Sequence, residues 1–258
     1  MTTSIGGAST SLEMNSVPLA WMYHSVEPYV EDPFQVTVSP QRFERQMRWL
    51  RRRGLRGVSM GELLQATDEG RARGLVGLTF DDGYQDFIPY ALPVLRRYGY
   101  TATLFILAGR LGGENEWSRP GPNKPLLTAD EVKQIDDAGM EIGSHGLRHI
   151  SLLKADDATL AEETQRSREI LGQLLGRDVA GFCYPYGYLD ARIVDAARTA
   201  GYDYACAVYP GPEISRHAIP RTSVLGKDTS WRLEAKRAVS LVRVGNRFGV
   251  RHYRNRRS

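Results

Sequence analysis

Two short stretches hold the residue types that could do chemistry. Thr79-Phe80-Asp81-Asp82-Gly83 sets two carboxylates side by side, and Ser144-His145-Gly146-Leu147-Arg148-His149 sets two imidazoles four residues apart. A catalytic divalent metal commonly takes three protein ligands and leaves one position for water. Asp82, His145 and His149 meet that count. Asp81 is then left over, and a spare carboxylate beside an activated water is suited to act as general base. On its own, Asp81-Asp82 before Gly83 also fits a strand-end turn that caps a helix. The two histidines alone are a spacing that surface residues often share. All four together point to hydrolysis at a metal centre.

The elements that must position these residues follow from patterning. Leu75 to Phe80 is a continuous apolar run of the kind buried in a parallel sheet, with Asp81 and Asp82 at its end. Met140 to Ser144 is a second strand, ending at His145. Further strands are expected over Pro18 to Tyr23 with His24 at the end, Thr101 to Leu107, the run to Tyr184, Tyr202 to Val208, and His217 to Thr222. Helices alternate with them. Ser39-Pro40 opens one, with Phe43, Met47 and Leu50 on a single face and Gly54 closing it. Tyr84 to Tyr98 is a second, kinked or restarted at Pro93. Thr128 and Glu131 form a capping box for a third, to Ala138. Asp156 to Leu175 and Asp190 to Ala200 are expected to be helical too. Between Gly109 and Lys124 lies a long Gly- and Pro-containing loop that presents Trp117. Strand–helix alternation means an α/β protein with a parallel sheet, in which chemistry collects at the C-terminal ends of the strands.

Composition is that of a globular protein: 258 residues, 41% hydrophobic and 25% charged. Cys183 and Cys206 offer no disulfide framework and are expected to be free, buried thiols. Residues 1–16 read as a disordered lead without a signal-peptide pattern, and no run approaches a membrane span. A cytoplasmic location is therefore expected. The net charge of +4 is unevenly spread: Trp231 to Ser258 carries nine Lys and Arg against one acid, Glu234. Within it, Trp231, Ala235, Ala238 and Val242 share a helical face among basic residues. That pattern suits either peripheral contact with an anionic membrane or a solvated arginine-rich end. No nucleic-acid-binding motif accompanies the charge. The expected organisation is a lead over 1–16, a catalytic domain over 17–230 and a basic segment over 231–258, with the oligomeric state left open.

The two stretches resemble the first two signatures of the polysaccharide deacetylases, carbohydrate esterase family 4: T-F-D-D-G, then H-(S/T)-x-x-H. Phe182-Cys183-Tyr184-Pro185-Tyr186-Gly187 resembles the family's aromatic-Pro-Tyr-Gly segment, and Trp21-Met22-Tyr23-His24 resembles the M-Y-H of a branch that acts on bacterial exopolysaccharides. The resemblance runs from about Pro18 to about Val224 and implies a distorted (β/α) barrel of about seven parallel strands. It implies a divalent ion, usually Zn²⁺ with Co²⁺ or Ni²⁺ tolerated, on Asp82, His145 and His149, and an N-acetylated saccharide as substrate. Asp81 would be the base, the backbone N–H of Tyr186 an oxyanion donor, and Tyr184 and Pro185 part of the substrate surface. Most members head the third motif with an Arg and carry a later Asp-Trp pair and a Leu-x-His acid; here these are missing. The resemblance to the exopolysaccharide branch moves the acid to His24, and Arg221 in Ile219-Pro220-Arg221-Thr222 is the candidate to orient Asp81. Trp117 is expected either to stack on a sugar ring or to fold back on the body. O-acetyl ester cleavage and silent carbohydrate or lipid binding are the competing outcomes for the same scaffold.

Overall fold

The computed structural model describes residues 18–118, 120–208 and 214–245, with side chains through Val239. The lead over 1–16 and the end of the basic segment over 246–258 lie outside them. Strand β1 (Ala20–Tyr23) is followed by the short β2 (Ser25–Val26) and β3 (Thr37–Val38), then by α1 (Pro40–Arg52), β4 (Arg56–Val58) and α2 (Met60–Asp68). The series continues with β5 (Leu75–Phe80), α3 (Leu92–Tyr98), β6 (Thr103–Ile106), α4 (Ala129–Asp137) and β7 (Glu141–Ser144). Next come α5 (Asp157–Ala161), α6 (Ser167–Leu175), β8 (Gly181–Cys183), α7 (Ala191–Thr199), β9 (Tyr204–Ala207), β10 (Ile219–Pro220), β11 (Thr222–Ser223) and α8 (Ser230–Gly245).

The main sheet runs β10-β9-β8-β7-β6-β5-β1-β11, with β4 added beside β5. Every pairing within it is parallel. Strands β10 and β11 are two pieces of one extended segment broken at Arg221. One piece pairs with β9 and the other with β1, so the segment draws the two ends of the sheet together. Counted this way the sheet has eight strands, seven staves around the barrel plus β4, against the about seven the resemblance implies. The pair β4–α2, absent from the patterning above, closes the opposite end: Met60, Leu63 and Leu64 of α2 pack with Phe105, Cys183, Tyr204, Cys206 and Ile219.

Large interior side chains fit because the neighbouring strand supplies glycine. A Cβ on Gly143 would lie 2.6 Å from the Phe105 ring, and one on Gly181 would lie 2.3 Å from the Tyr204 hydroxyl. Glu141 points inward at the α2 end of β7, accepting hydrogen bonds from Tyr204 (2.8 Å), Thr103 (2.6 Å) and the Gly61 amide (2.8 Å). It is thus a half-buried carboxylate with its hydrogen bonds satisfied, remote along β7 from His145.

The expected helix starts are found: Ser39 and Pro40 open α1, and the Thr128–Glu131 capping box opens α4. The helix expected from Tyr84 begins instead at Phe87, as a π-helical turn over Phe87–Ala91 that passes into α3 at Leu92-Pro93. Asp156 to Leu175 is helical throughout but holds a second π turn, over Glu162–Arg166. Both cysteines are free and buried. Among the described residues no helix is long and apolar enough to cross a membrane. Helix α8 docks through buried Leu233, the Arg53–Glu234 ion pair (2.6 Å) and a Lys236–Asp228 ion pair, and leaves Trp231 and Val239 exposed.

Candidate metal centre

Asp81 and Asp82 follow β5, His145 follows β7, His24 follows β1 and Cys183 ends β8, so one end of the barrel gathers them. Asp82 has φ 72°, His149 φ 60° and Tyr186 φ 62°. A non-glycine residue in that region is strained by about 1–3 kcal/mol, and such strain persists only where the surroundings over-determine it. Three of the four positive-φ non-glycine residues among those described therefore lie at this one site.

The Asp82 Oδ1 atom lies 3.4 Å from His145 Nε2 and 3.3 Å from His149 Nε2, with all three side chains nearly inaccessible to solvent. Although buried, Asp82 Oδ1 receives no hydrogen bond. His145 Nδ1 is 2.8 Å from the Cys183 carbonyl, which can only accept, so Nδ1 carries a proton and Nε2 faces Asp82. Burial opposes the charged ring, but the Cys183 side chain and the Asp82 and Asp81 carboxylates outweigh it and hold His145 well above its ordinary pKa, so a bound cation would have to displace the Nε2 proton. Burial holds His149 below its ordinary pKa and so neutral at pH 7. Burial opposes ionisation of Asp82, but the neighbouring His149 and His145 outweigh it and keep the carboxyl well below its usual range. One anionic oxygen and two imidazole nitrogens thus converge without satisfying one another. Bonds of ~2.0–2.1 Å to a tetrahedral ion would span edges of roughly 3.3–3.4 Å. The cluster fits a divalent cation.

Asp81 is held differently. Arg221 Nη1 donates to its Oδ1 at 2.6 Å and Nη2 to its Oδ2 at 2.7 Å; Nη1 also reaches Thr79 Oγ1 at 2.8 Å, and Nη2 lies 2.9 Å from Cys183 Sγ. Burial would raise the Asp81 pKa, yet the Arg221 charge and its hydrogen bonds bring it below the ordinary value. Asp81, His145 and Cys183 also lie close enough together to suggest a second cation site. The guanidinium already occupying both Asp81 oxygens argues against one. The small thiol of Cys183 leaves room for Arg221 to arrive from the far strand.

His24 is half-buried and near enough to Asp81, Asp82 and His149 to bear on their ionisation. The chain just after it is pinned. Asp86 accepts from Ser25 Oγ (2.5 Å) and the Val26 amide (3.0 Å), while the buried Lys124 ammonium donates to Ser25 Oγ, Thr37 Oγ1 and Glu27. Trp117 is half-buried and stacks on His149, ring centroids 4.5 Å apart; Tyr186 meets the same imidazole edge-on at 4.5 Å. Tyr184 and Pro185 need correction as substrate-facing residues. Tyr184 is fully buried with its hydroxyl spent on the His217 carbonyl (2.7 Å), and Pro185 is buried too. The aromatic surface that remains exposed beside the site belongs to Tyr186 and Tyr188.

The chain belongs to the polysaccharide deacetylase family, whose sequence profile matches residues 68–205. Among curated relatives it is 28% identical over 192 residues to the "putative polysaccharide deacetylase YxkH" of Bacillus subtilis (strain 168), covering 74% of this chain and 64% of that protein. It is 26% identical over 198 residues to the poly-β-1,6-N-acetyl-D-glucosamine N-deacetylase of Staphylococcus aureus (strain MSSA476), covering 72% of this chain and 67% of the enzyme. The chain thus spans about two thirds of the length of these relatives. In fold it resembles the Streptococcus pyogenes deacetylase PplD in complex with acetate, with TM-score 0.72, 23% identity, and 85% of this chain and 97% of that one covered. IcaB from Ammonifex degensii gives TM-score 0.69 at 24% identity, covering 86% of this chain and 97% of that one.

Proposed function

We propose that this protein is a metal-dependent N-deacetylase that removes acetyl groups from an amino sugar within a saccharide or glycoconjugate. The observation that carries the reading is the convergence of Asp82 Oδ1, His145 Nε2 and His149 Nε2 beside an Asp81 carboxylate clamped by Arg221. A divalent cation bound there, with Zn²⁺ the best match to the His₂-carboxylate donor set, would supply an acidified water and polarise the acetyl carbonyl. Asp81, ionised at neutral pH, accepts the proton of the attacking water; Arg221 fixes the plane of the carboxylate and leaves lone pairs on both oxygens. The Tyr186 backbone N–H serves the carbonyl oxygen as negative charge builds. His24 delivers the proton that lets the amine depart. Trp117 braces His149 with one ring face.

The activity named for the S. aureus relative supports a β-1,6-linked N-acetylglucosamine polymer as the first substrate to try. The exposed Trp231, with the Arg232 guanidinium 5.2 Å from its ring, supports peripheral contact of α8 with an anionic surface. Co-sedimentation with phosphatidylglycerol vesicles that is indifferent to Trp231→Ala would remove that contact.

Acetate release from matched N-acetylated and O-acetylated oligosaccharides, with and without added Zn²⁺ or Co²⁺, tests the main reading. Asp81→Asn is the control. N-deacetylation that needs metal, and falls at least ~100-fold in Asp81→Asn while the metal stays bound, is the expected result. Faster release from the O-acetyl compounds would make the protein an esterase. Bound metal without release from any acetylated saccharide would favour a silent carbohydrate-binding relative.

A further inference from the structure

The loop that joins the two histidines is fastened by a residue far from any sequence motif. Glu163 lies in the π turn over Glu162–Arg166 and is fully buried. Its Oε2 accepts from the amides of Leu147 (2.7 Å) and Arg148 (3.2 Å), and its Oε1 accepts from Arg148 Nε (2.7 Å). A buried carboxylate is costly unless its oxygens are engaged. All three of these bonds go to the residues between His145 and His149. The other side of the loop is tied to β6 and its extension: the Gly146 and Leu147 carbonyls accept from the Ala108 (2.9 Å) and Gly109 (3.2 Å) amides. Glu163 therefore takes the N–H side and the sheet takes the carbonyl side.

Two conformational details depend on this arrangement. Gly146 has φ 83°, and a Cβ there would lie 2.8 Å from Glu163 Oε2, so the carboxylate can reach the loop only because residue 146 is glycine. His149 holds φ 60°, a conformation that relaxes unless its neighbours enforce it. The π turn, with its one extra residue, is a local departure from the regular helix, and such turns recur at functional positions.

We propose that Glu163 is a positioning residue for the metal centre: by holding the Leu147 and Arg148 amides it sets the spacing of His145 and His149 and thereby the affinity of the site for a divalent cation. This rests on the metal reading above. The role is separate from chemistry, since Glu163 touches neither imidazole and no reacting group.

The test compares Glu163→Gln, Glu163→Ala and Arg148→Ala with the parent protein. Zn²⁺ and Co²⁺ dissociation constants are measured against a chromophoric chelator, with the Co²⁺ absorption spectrum. Amide exchange at Leu147 and Arg148 is followed by NMR in metal-free protein. Glu163→Ala is expected to weaken metal binding ~10–100-fold, as loss of an outer-shell partner typically does, and to alter the Co²⁺ bands. Glu163→Gln keeps one carbonyl oxygen for the two amides and should fall between; Arg148→Ala should stay within about threefold of the parent, because the amide bonds remain. Both Glu163 variants should speed exchange at the two amides. If Glu163→Ala does not fold, Glu163→Gln decides. Folded Glu163 variants with the parent's affinity, spectrum and exchange rates overturn the proposal. Should the parent bind neither ion, the metal reading fails, and unchanged amide exchange in Glu163→Gln would then overturn the positioning role independently.

Discussion

Arg221 meets Asp81 through two parallel hydrogen bonds of 2.6 and 2.7 Å, spanning 140 residues of sequence, and neither partner is exposed to more than a trace of solvent. The pair would decide at which pH the proposed base is ready. Without the guanidinium, burial would be opposed only by His145 and His24, and the Asp81 pKa would move upward. A base works when ionised, so activity is lost as pH falls through its pKa. In Arg221→Met the acidic limb of the pH–rate profile should therefore move upward. Profiles measured at saturating metal check this; an acidic limb that stays put would detach Arg221 from the base.

Metal binding should stabilise the fold, since the cluster exists only in the native state. Zn²⁺ at a hundredfold excess over its dissociation constant adds about 2.7 kcal/mol to the parent protein. His145→Ala and Asp82→Ala should lose that increment, and EDTA should remove it from the parent. Thermal melts with and without metal read it directly, and a metal-dependent rise in Tm that survives Asp82→Ala would contradict the ligand assignment.

The role given to His24 depends on the leaving group. An amine leaves poorly without a proton, whereas a nitrophenolate does not need one. His24→Ala should lower kcat on an N-acetylated sugar by about 10²–10⁴-fold and on 4-nitrophenyl acetate far less. Equal losses on both would point to a role in binding or folding.

Asp86 makes the chain beside His24 sensitive to pH. Burial raises its pKa to about 6, despite the hydrogen bonds from Ser25 and Val26. Because the native state binds this proton more tightly than the unfolded chain does, its contribution is fully present below about pH 4 and is lost as pH rises through about 6. Relative to Asp86→Asn, the parent should lose roughly 1–3 kcal/mol of stability between those limits and level off above them. Urea unfolding of both proteins at intervals from pH 4 to pH 8 measures the difference; a gap that does not change with pH would refute the assignment.

What the sequence disclosed follows a physical divide. Asp81, Asp82, His145 and His149 stand in compact motifs at strand ends, where residue type and position together restrict the chemistry. Arg221 was found because a motif lacked its usual arginine and a later strand held one. Glu163 left no such trace. A glutamate on an amphipathic helix reads as a solvated residue, and only the tertiary approach of the loop over residues 146–148 reveals its partners. Tyr184 misled in the opposite sense: beside an active-site motif it reads as a contact for substrate, but strand alternation turns it away and fixes its hydroxyl on His217. The pair β4–α2 went unread because a three-residue strand with a central glycine carries little periodic signal.

The break in the last strand at Arg221 has an order-of-assembly consequence. The three candidate ligands follow β5 and β7, so they can meet before the final stave has joined the sheet. The cation that sets Asp81 arrives only with the segment that ties β9 to β1. A chain emerging N-terminus first would thus acquire the capacity to hold an ion early and the capacity to use it last. On the proposed function, hydrolytic competence would in this way be reserved for molecules whose barrel has shut.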